Sequence, residues 1–562
     1  MKTIATSWSQ TNFYVDKTIG SDANNGLTVV TPWKTIQKAA TMATANSIVH
    51  INAGIYYENV TVQTNGASGS PIVFTGYGGP VILDGTGTSG TTMLSISNRS
   101  NLTFENITIQ NLVKSFARGI SLTTASGTCN NITFRNITVK NIKWTANSTD
   151  IPQDSNNAWG MYIRGQSGAI TNLLIENCSV HDNVLGYSEA LSVSGNVNVF
   201  SIRNCTVYDN TNIGIHISGP STGIGPQNGD ITGNICHGNI SPIALSAGIY
   251  LDGPSDITVE RNSCYENPIG IEVGCEKDGA TQYVNVKNNL LYNNRYSGLA
   301  VGGYTTATTG QVLYSTFRNN TLFKNNSFTS GIAEITVSKA SNCVFEDNIV
   351  YSNNQDILLT MLNIQPQANN LFNYNCWFTT DGDANDLTFY CGLATYDSFS
   401  QYKSGTGQDS NSVYANPGFL NTELPTPQLA LLPESLCINI GNPVLSIVGE
   451  EKDYLGNPRI VNNVVDIGAN EFGFQLSAPE TVKTKAQISP NPFTSQTLLT
   501  MEEPIENGSM LLYDVSGRKV RETTNLSGNE IAIERGNLEA GFYFYQLIDG
   551  GKILASGKLI AK

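Results

Sequence analysis

Charge is scarce in this chain. Only 14% of its 562 residues are Asp, Glu, Lys or Arg, against about a quarter in ordinary globular proteins. The charge that is present is acidic, with a net value of −14. Nucleic acid is excluded as a partner, because phosphate backbones need a basic surface. An acidic sugar is not excluded, since it needs only a local basic patch. No apolar run approaches the roughly 20 residues of a membrane helix, so no membrane span is expected. The ten cysteines include no Cys-x-x-Cys pair and the four histidines share no ligand spacing, which removes zinc. Phosphate-binding glycine loops, dinucleotide fingerprints and a Ser-His-Asp pattern are lacking as well. The opening MKTIATSWSQTNFYV has no apolar core of a secretion leader. That is the expectation for a chain whose signal peptide has been removed and Met1 added.

Glycine, by contrast, is plentiful at 53 residues, and asparagine recurs in a fixed phrase. The copies run ENITIQN from Glu105, RNITVKN from Arg135, ENCSVHDN from Glu176, RNCTVYDN from Arg203, GNICHGN from Gly233, RNSCYEN from Arg261, KNNLLYNN from Lys287, RNNTLFKN from Arg318 and EDNIVYSN from Glu346. Their second residues are Asn106, Asn136, Asn177, Asn204, Asn234, Asn262, Asn288, Asn319 and Asp347. Units of this length cannot bury their own apolar face and must stack. Within each copy apolar and polar residues alternate, the period of a strand. A second phrase follows a glycine: GMYIRG from Gly160, GIHISG from Gly214, GIYLDG from Gly248, GIEVGCE from Gly270 and GLAVGG from Gly298, with ALSVSG from Ala190 as a variant. Asn and Gly tolerate positive φ and suit the corners between strands.

These phrases resemble the right-handed parallel β-helix of pectate lyases and related polysaccharide enzymes. The resemblance covers residues 11–475 and implies an all-β solenoid. Such a solenoid exposes sheet edges at its end, so TIQKAATMATA, just after Pro32, is expected to form an N-terminal capping helix. Asp16, Asp22 and Asn24, in the segment before it, are candidates for a structural calcium. Asp453, Arg459, Asp466 and Glu471 are expected to close the last coil through ion pairs and turns. A polar linker spans residues 476–487. Residues 488–562 contain ISPNPF, LYDVSGRKV and LEAGFYFYQL. They resemble the C-terminal sorting domain of the Bacteroidetes type IX secretion system. That implies a small β-sandwich, the type IX secretion machinery as a partner, and secretion or attachment outside the outer membrane. Stacked small apolar side chains account for the cysteines, and Cys376 and Cys391 are the best candidates for a disulfide.

Chemistry is expected on the outward face of the glycine phrases. Alternation turns Ile249, Leu251, Ile271 and Val273 inward and Tyr250, Asp252 and Glu272 outward onto a solvated wall. Aligning the coils by their glycines stacks Tyr162, Ser192, His216, Tyr250, Glu272 and Ala300. Beside them stack Arg164, Ser194, Ser218, Asp252, Gly274 and Gly302. Strands about 4.8 Å apart would then hold the carboxyls of Asp252 and Glu272 roughly 5–9 Å apart, within the range of paired-carboxylate glycosidases. The pair GIYLDG…GIEV is similar to β-helical glycosidases, notably β-xylosidases of this fold. The resemblance implies Asp252 as nucleophile and Glu272 as acid/base, with Glu276 as an alternative acid and His216 orienting. Substrate contacts are assigned to Arg164, Tyr162, Glu189, Tyr250, Lys277 and Tyr304. The expected activity is a retaining glycoside hydrolase acting on a polysaccharide or oligosaccharide and needing no cofactor. The alternatives are a polysaccharide lyase cleaving a uronate glycan by β-elimination, with His216, Tyr250 or Lys277 as base, and a non-catalytic glycan binder.

Overall fold

The computed structural model describes residues 10–220, 223–303, 308–444, 451–461, 464–473, 487–514, 519–538, 540–549 and 552–562. The chain divides into two units, Met1–Phe472 and Gly473–Lys562.

The first unit is a β-solenoid of about 12 turns. Each full coil contributes three strands, and equivalent strands of successive coils pair in parallel. One face is typified by Ala247–Asp252 and Ile269–Gly274, a second by Ser255–Glu260 and Ala280–Lys287, and a third by Ser263–Tyr265 and Leu290–Tyr292. Alternation decides what fills the tube. Ile249, Leu251, Ile271 and Val273 join one continuous buried core. Aromatic rings stack in it at the coil spacing, as in Phe74–Phe104–Phe134 and Phe317–Phe345–Phe372.

The ends are closed by helices. Ile36–Met42 starts at Thr35, whose side chain accepts the Lys38 amide, and buries Ile36, Ala39 and Ala40. The Glu58 carboxylate accepts the free amides of Ile36 and Gln37, which a helix start leaves unpaired. Near the other end, Phe399–Thr406 stops at Gly407, whose φ of +69° glycine adopts without strain. Tyr402 of this helix stacks on Phe389 at 4.0 Å. Beyond it, Arg459 is fully buried 3.5 Å from Glu471. Asp453, Asp466 and Glu471 accept backbone amides of the same segment. The segment is tied to the solenoid through Asn288 and Asn319, which donate to the carbonyls of Lys452 and Asp466.

The asparagine phrase holds two different structures. Asn106, Asn136, Asn177, Asn204, Asn288, Asn319 and Asp347 form a left-handed corner column with φ between about 49° and 60°. Asn234 and Asn262 do not belong to it, and the register sets Gly233 and Arg261 there instead. The reason is a one-residue slip in the phasing of the repeat. Asn234 and Asn262 start a buried ladder that continues through Asn289, Asn320, Asn348 and Asn375. Each side-chain amide donates to the next, and the last donates to Asp409. A second ladder, Asn210–Asn239–Asn267–Asn294–Asn325, ends on Glu334. A one-way row of donors needs an acceptor at its end, and a carboxyl oxygen supplies one.

Asp16 accepts the amides of Thr18 and Ile19 and the Asn52 side chain, while Asp22 accepts Lys34, Thr35 and the Thr35 hydroxyl. Asn24 donates to the Pro32 carbonyl. These bonds organise the entry loop. Among the described residues no group of three or more His, Cys, Asp or Glu is arranged to hold a metal ion. If Asp16, Asp22 and Asn24 hold a structural calcium, a chelator is expected to lower the melting temperature in differential scanning calorimetry, and an unchanged value would exclude a required ion. The ten cysteines are free, Cys376 and Cys391 included.

The second unit is one five-stranded antiparallel sheet, Gln487–Ser489, Gln496–Asp514, Lys519–Glu534, Gly541–Asp549 and Lys552–Ala561. In place of the two stacked sheets of a sandwich, this single sheet curls over its own core, which includes Leu499, Leu512, Leu547 and Leu559.

Candidate functional site

The strand register fixes the outer columns of the glycine-phrase face. Tyr162 pairs with Ser192, Ser192 with His216, His216 with Tyr250, Tyr250 with Glu272 and Glu272 with Ala300. The neighbouring column runs Arg164, Ser194, Ser218, Asp252 and Gly274. Asp252 and Glu272 therefore lie on adjacent coils, two positions apart along the strand. Both point away from the solenoid core, which takes the alternate residues.

The wall they share is not solvated, and this corrects the sequence-based expectation. Asp252 is 5%, Glu272 7%, His216 9% and Tyr250 3% exposed. Tyr250 and Ala300 flank Glu272 in its column, and with Ala247, Ile269 and half-buried Ile213 they form a small apolar cluster separate from the main core. Alternation reports which side of the sheet a residue faces. It carries no information about what lies over it.

Burial changes the chemistry of the acids. It pushes the Glu272 carboxyl up to about 8, and the negative charges of Glu276 and Asp252 add to the shift. Burial also drives the Tyr250 hydroxyl well above its ordinary value, with help from Glu272, Asp252 and Glu276. For His216, burial opposes the charged form, but Glu189, Asp252 and Glu276 outweigh it and the net shift is upward. His216 Nδ1 lies 3.4 Å from Glu189 Oε1, a contact too poorly aligned to count as a hydrogen bond, so both ring nitrogens stay unpaired. The imidazole stacks on Tyr250 at 5.2 Å. Asp252 Oδ1 accepts the Glu276 amide at 2.9 Å. Gly274 sits opposite Asp252, and a Cβ there would come within 3.2 Å of the Tyr250 ring. Glycine thus leaves room for the ring beside the acids.

A cavity of about 900 Å³ opens on this face. Tyr162, Arg164, Glu189, His216 and Lys277 line it together with Trp159. Asp252 and Glu272 are not among the lining residues: Asp252 lies one coil beyond Ser218 and Glu272 two coils beyond His216, both of which line the cavity. Glu276 is exposed on the turn that precedes Lys277. Tyr304 falls outside the described residues. Sequence reasoning missed Trp159 and, one coil earlier, Arg118. The signal was available, because RGISLT at Arg118–Thr123 repeats the glycine phrase and the register pairs Arg118 with Trp159.

Comparison with known proteins agrees with this architecture. Residues 154–321 match the family described as right handed beta helix region, and residues 487–562 match the secretion system C-terminal sorting domain. The solenoid is thus a right-handed β-helix by its matched region, and residues 487–562 form a type IX sorting domain. That domain implies export by the secretion machinery, to the medium or the cell surface. No helix among the described residues is long and apolar enough to cross a membrane. The uncharacterised protein YwoF of Bacillus subtilis (strain 168) is 28% identical over 422 residues, covering 71% of this chain and 87% of YwoF. Among solved structures, the lacto-N-biosidase of Eubacterium ramulus overlaps with a TM-score of 0.44 at 13% identity, over 65% of this chain and 67% of that one. The A-module of the mannuronan C-5 epimerase AlgE4 of Azotobacter vinelandii overlaps at 0.40 and 15% identity, over 59% and 85%. Overlaps of this size leave the chemistry to be argued from this chain's own residues.

Proposed function

We propose that this protein is a secreted glycoside hydrolase that cleaves a glycan held in the cavity of the glycine-phrase face. One observation carries the proposal. Two carboxyls sit on adjacent coils of the face that carries the cavity, and burial pushes one of them, Glu272, up to about 8. A carboxylic acid that stays protonated is what a glycosidic leaving oxygen requires. In the retaining form of the reaction, Glu272 gives its proton to that oxygen while Asp252 attacks the anomeric carbon. A water molecule, deprotonated by Glu272, then releases the sugar from Asp252. Tyr162 and Trp159 offer ring faces on the cavity wall, and Glu189 and His216 lie within reach of sugar hydroxyls.

A second reading has one specific observation in its favour. Arg164 and Lys277 both line the cavity, and a lyase needs cations against a uronate carboxylate. The two chemistries differ in their products. Hydrolysis creates reducing ends without ultraviolet absorbance, whereas β-elimination creates a conjugated C=C that absorbs. Purified protein incubated with neutral and uronate glycans is expected to release reducing ends only. An absorbing product would replace hydrolysis by elimination, and release of neither would leave a binder.

A further inference from the structure

In a chain with 45 acidic and 31 basic residues, a cation is ordinarily neutralised by a neighbour. Several cations of the solenoid are neutralised in this way. Arg135 bridges Glu105 and Glu176, Arg203 pairs with Glu176, and Lys287 and Arg318 share Glu451. Arg118 and Arg164 are different. They come from adjacent coils and meet around one ring. The Arg118 guanidinium lies 4.5 Å from the centre of Tyr162 and 4.9 Å from that of Trp159. Arg164 Nη1 donates to the Tyr162 hydroxyl at 3.3 Å. No described carboxylate forms an ion pair with either arginine, and the buried Nε of Arg118 has no partner. Two guanidinium groups thus converge on one ring with no carboxylate bonded to either, and Arg164 is exposed to take up a solute.

The aromatic rings explain how the pair is held. A guanidinium stacked on rings is fixed by its flat face, which leaves its N–H edge free to bond. That edge has the fork geometry that matches a carboxylate or a sulfate. Trp159, Tyr162 and Arg164 also line the cavity described above, and Lys277 adds a third cation to the same lining.

We propose that the Arg118–Arg164 pair, clamped by Trp159 and Tyr162, is an anion subsite that binds the acidic substituent of a charged glycan. The assignment rests on the glycan-cleaving reading of the cavity and adds the substrate class to it. Uronate carboxylates and sulfate esters share the required chemistry.

Binding to the full chain carrying Glu272→Gln, measured by titration calorimetry, separates this inference from the hydrolytic one because no cleavage is needed. The probes are a galacturonate tetrasaccharide, a sulfated galactose tetrasaccharide and the uncharged galactose tetrasaccharide. At least one charged probe is expected to bind at least tenfold more tightly than the uncharged one, with an affinity that falls as salt rises. Whichever charged probe binds identifies the substituent as carboxylate or sulfate. Adding Arg118→Gln with Arg164→Gln is expected to abolish that preference, with a melting temperature close to that of the parent to show that the fold survives. Arg118→Lys, which keeps the charge and loses the fork, is expected to retain only part of the preference. Equal affinity for charged and uncharged probes, no binding of any probe, or a preference that survives loss of both arginines would overturn the subsite. If an uncharged glycan is hydrolysed and the charged probes bind no more tightly than the uncharged one, the subsite fails and the hydrolase stands.

Discussion

Asp252→Asn and Glu272→Gln are each expected to lower glycan cleavage by about 10²–10⁴-fold, the usual worth of a positioned acid or base, with the fold intact. The residues occupy adjacent coils, and neither contributes to the solenoid core, so removing a charge breaks no packing. Each replacement is nearly isosteric. The alkaline limb of the rate profile should fall as pH rises through about 8, where Glu272 loses the proton that it delivers. Rate measurements on the two variants, with melting curves beside them, check this. Full activity in both would end the assignment, and Glu276→Gln would then be the next variant to examine, since Glu276 is exposed beside Lys277 and its amide bonds Asp252.

The same raised carboxyl has a consequence for stability. Glu272 moves from 4.5 to about 8 on folding. Between those values the folded state binds a proton that the unfolded state does not. Stability therefore declines as pH climbs from about 4.5 towards about 8, by about 1.4 kcal/mol for each pH step of one, and levels off beyond. Glu272→Gln removes this slope. The variant should gain in melting temperature over the wild type at pH 9 relative to pH 5. A buried carboxyl kept protonated in this way costs stability at alkaline pH, the kind of trade a functional site makes.

How much of this was legible in the sequence depends on the range of the interaction involved. Strand alternation and corner chemistry are local, so the solenoid could be read from ENITIQN-like and GIYLDG-like phrases alone. The glycines also fix the register, because the coils come closest there, and the outer columns follow from them. The burial of Asp252, Glu272, His216 and Tyr250 was not legible. For Glu272 it comes with packing between coils, where Tyr250, Ala247, Ile269 and Ala300 cluster on the outer face, and a two-residue period does not report such side-chain packing. The phase of the asparagines was lost for a different reason. Asn204 and Asn234 look equivalent in RNCT and GNIC, yet one turns a corner and the other lies inside. A one-residue offset is invisible when both positions accept the same amino acid. Arg118 was overlooked because RGISLT carries no acid or ring that would have drawn attention, although its glycine aligns it with Trp159.

The two asparagine roles predict opposite outcomes for similar substitutions. Asn289→Leu is expected to lower stability by about 3–5 kcal/mol, because each buried polar group left unpaired costs about 1–3 kcal/mol. Asn289 is fully buried. Its side-chain oxygen accepts both the backbone and the side-chain amide of Asn262, at 2.9 and 3.0 Å. Its side-chain nitrogen donates to Val259 and Lys287 carbonyls and to Asn320. Leucine fills a similar volume and satisfies none of these groups, so the Asn262 donors are stranded away from water. Because each coil contacts mainly its neighbours, the damage should spread along the stack and broaden the melting transition. Asn106→Gly is the matched control. Asn106 is exposed at φ +60°, a conformation glycine adopts freely, so its loss should change stability by less than about 1 kcal/mol. Denaturant titration of both variants decides the matter: equal midpoints for Asn289→Leu and the wild type would show that the buried ladder does not hold the coils together.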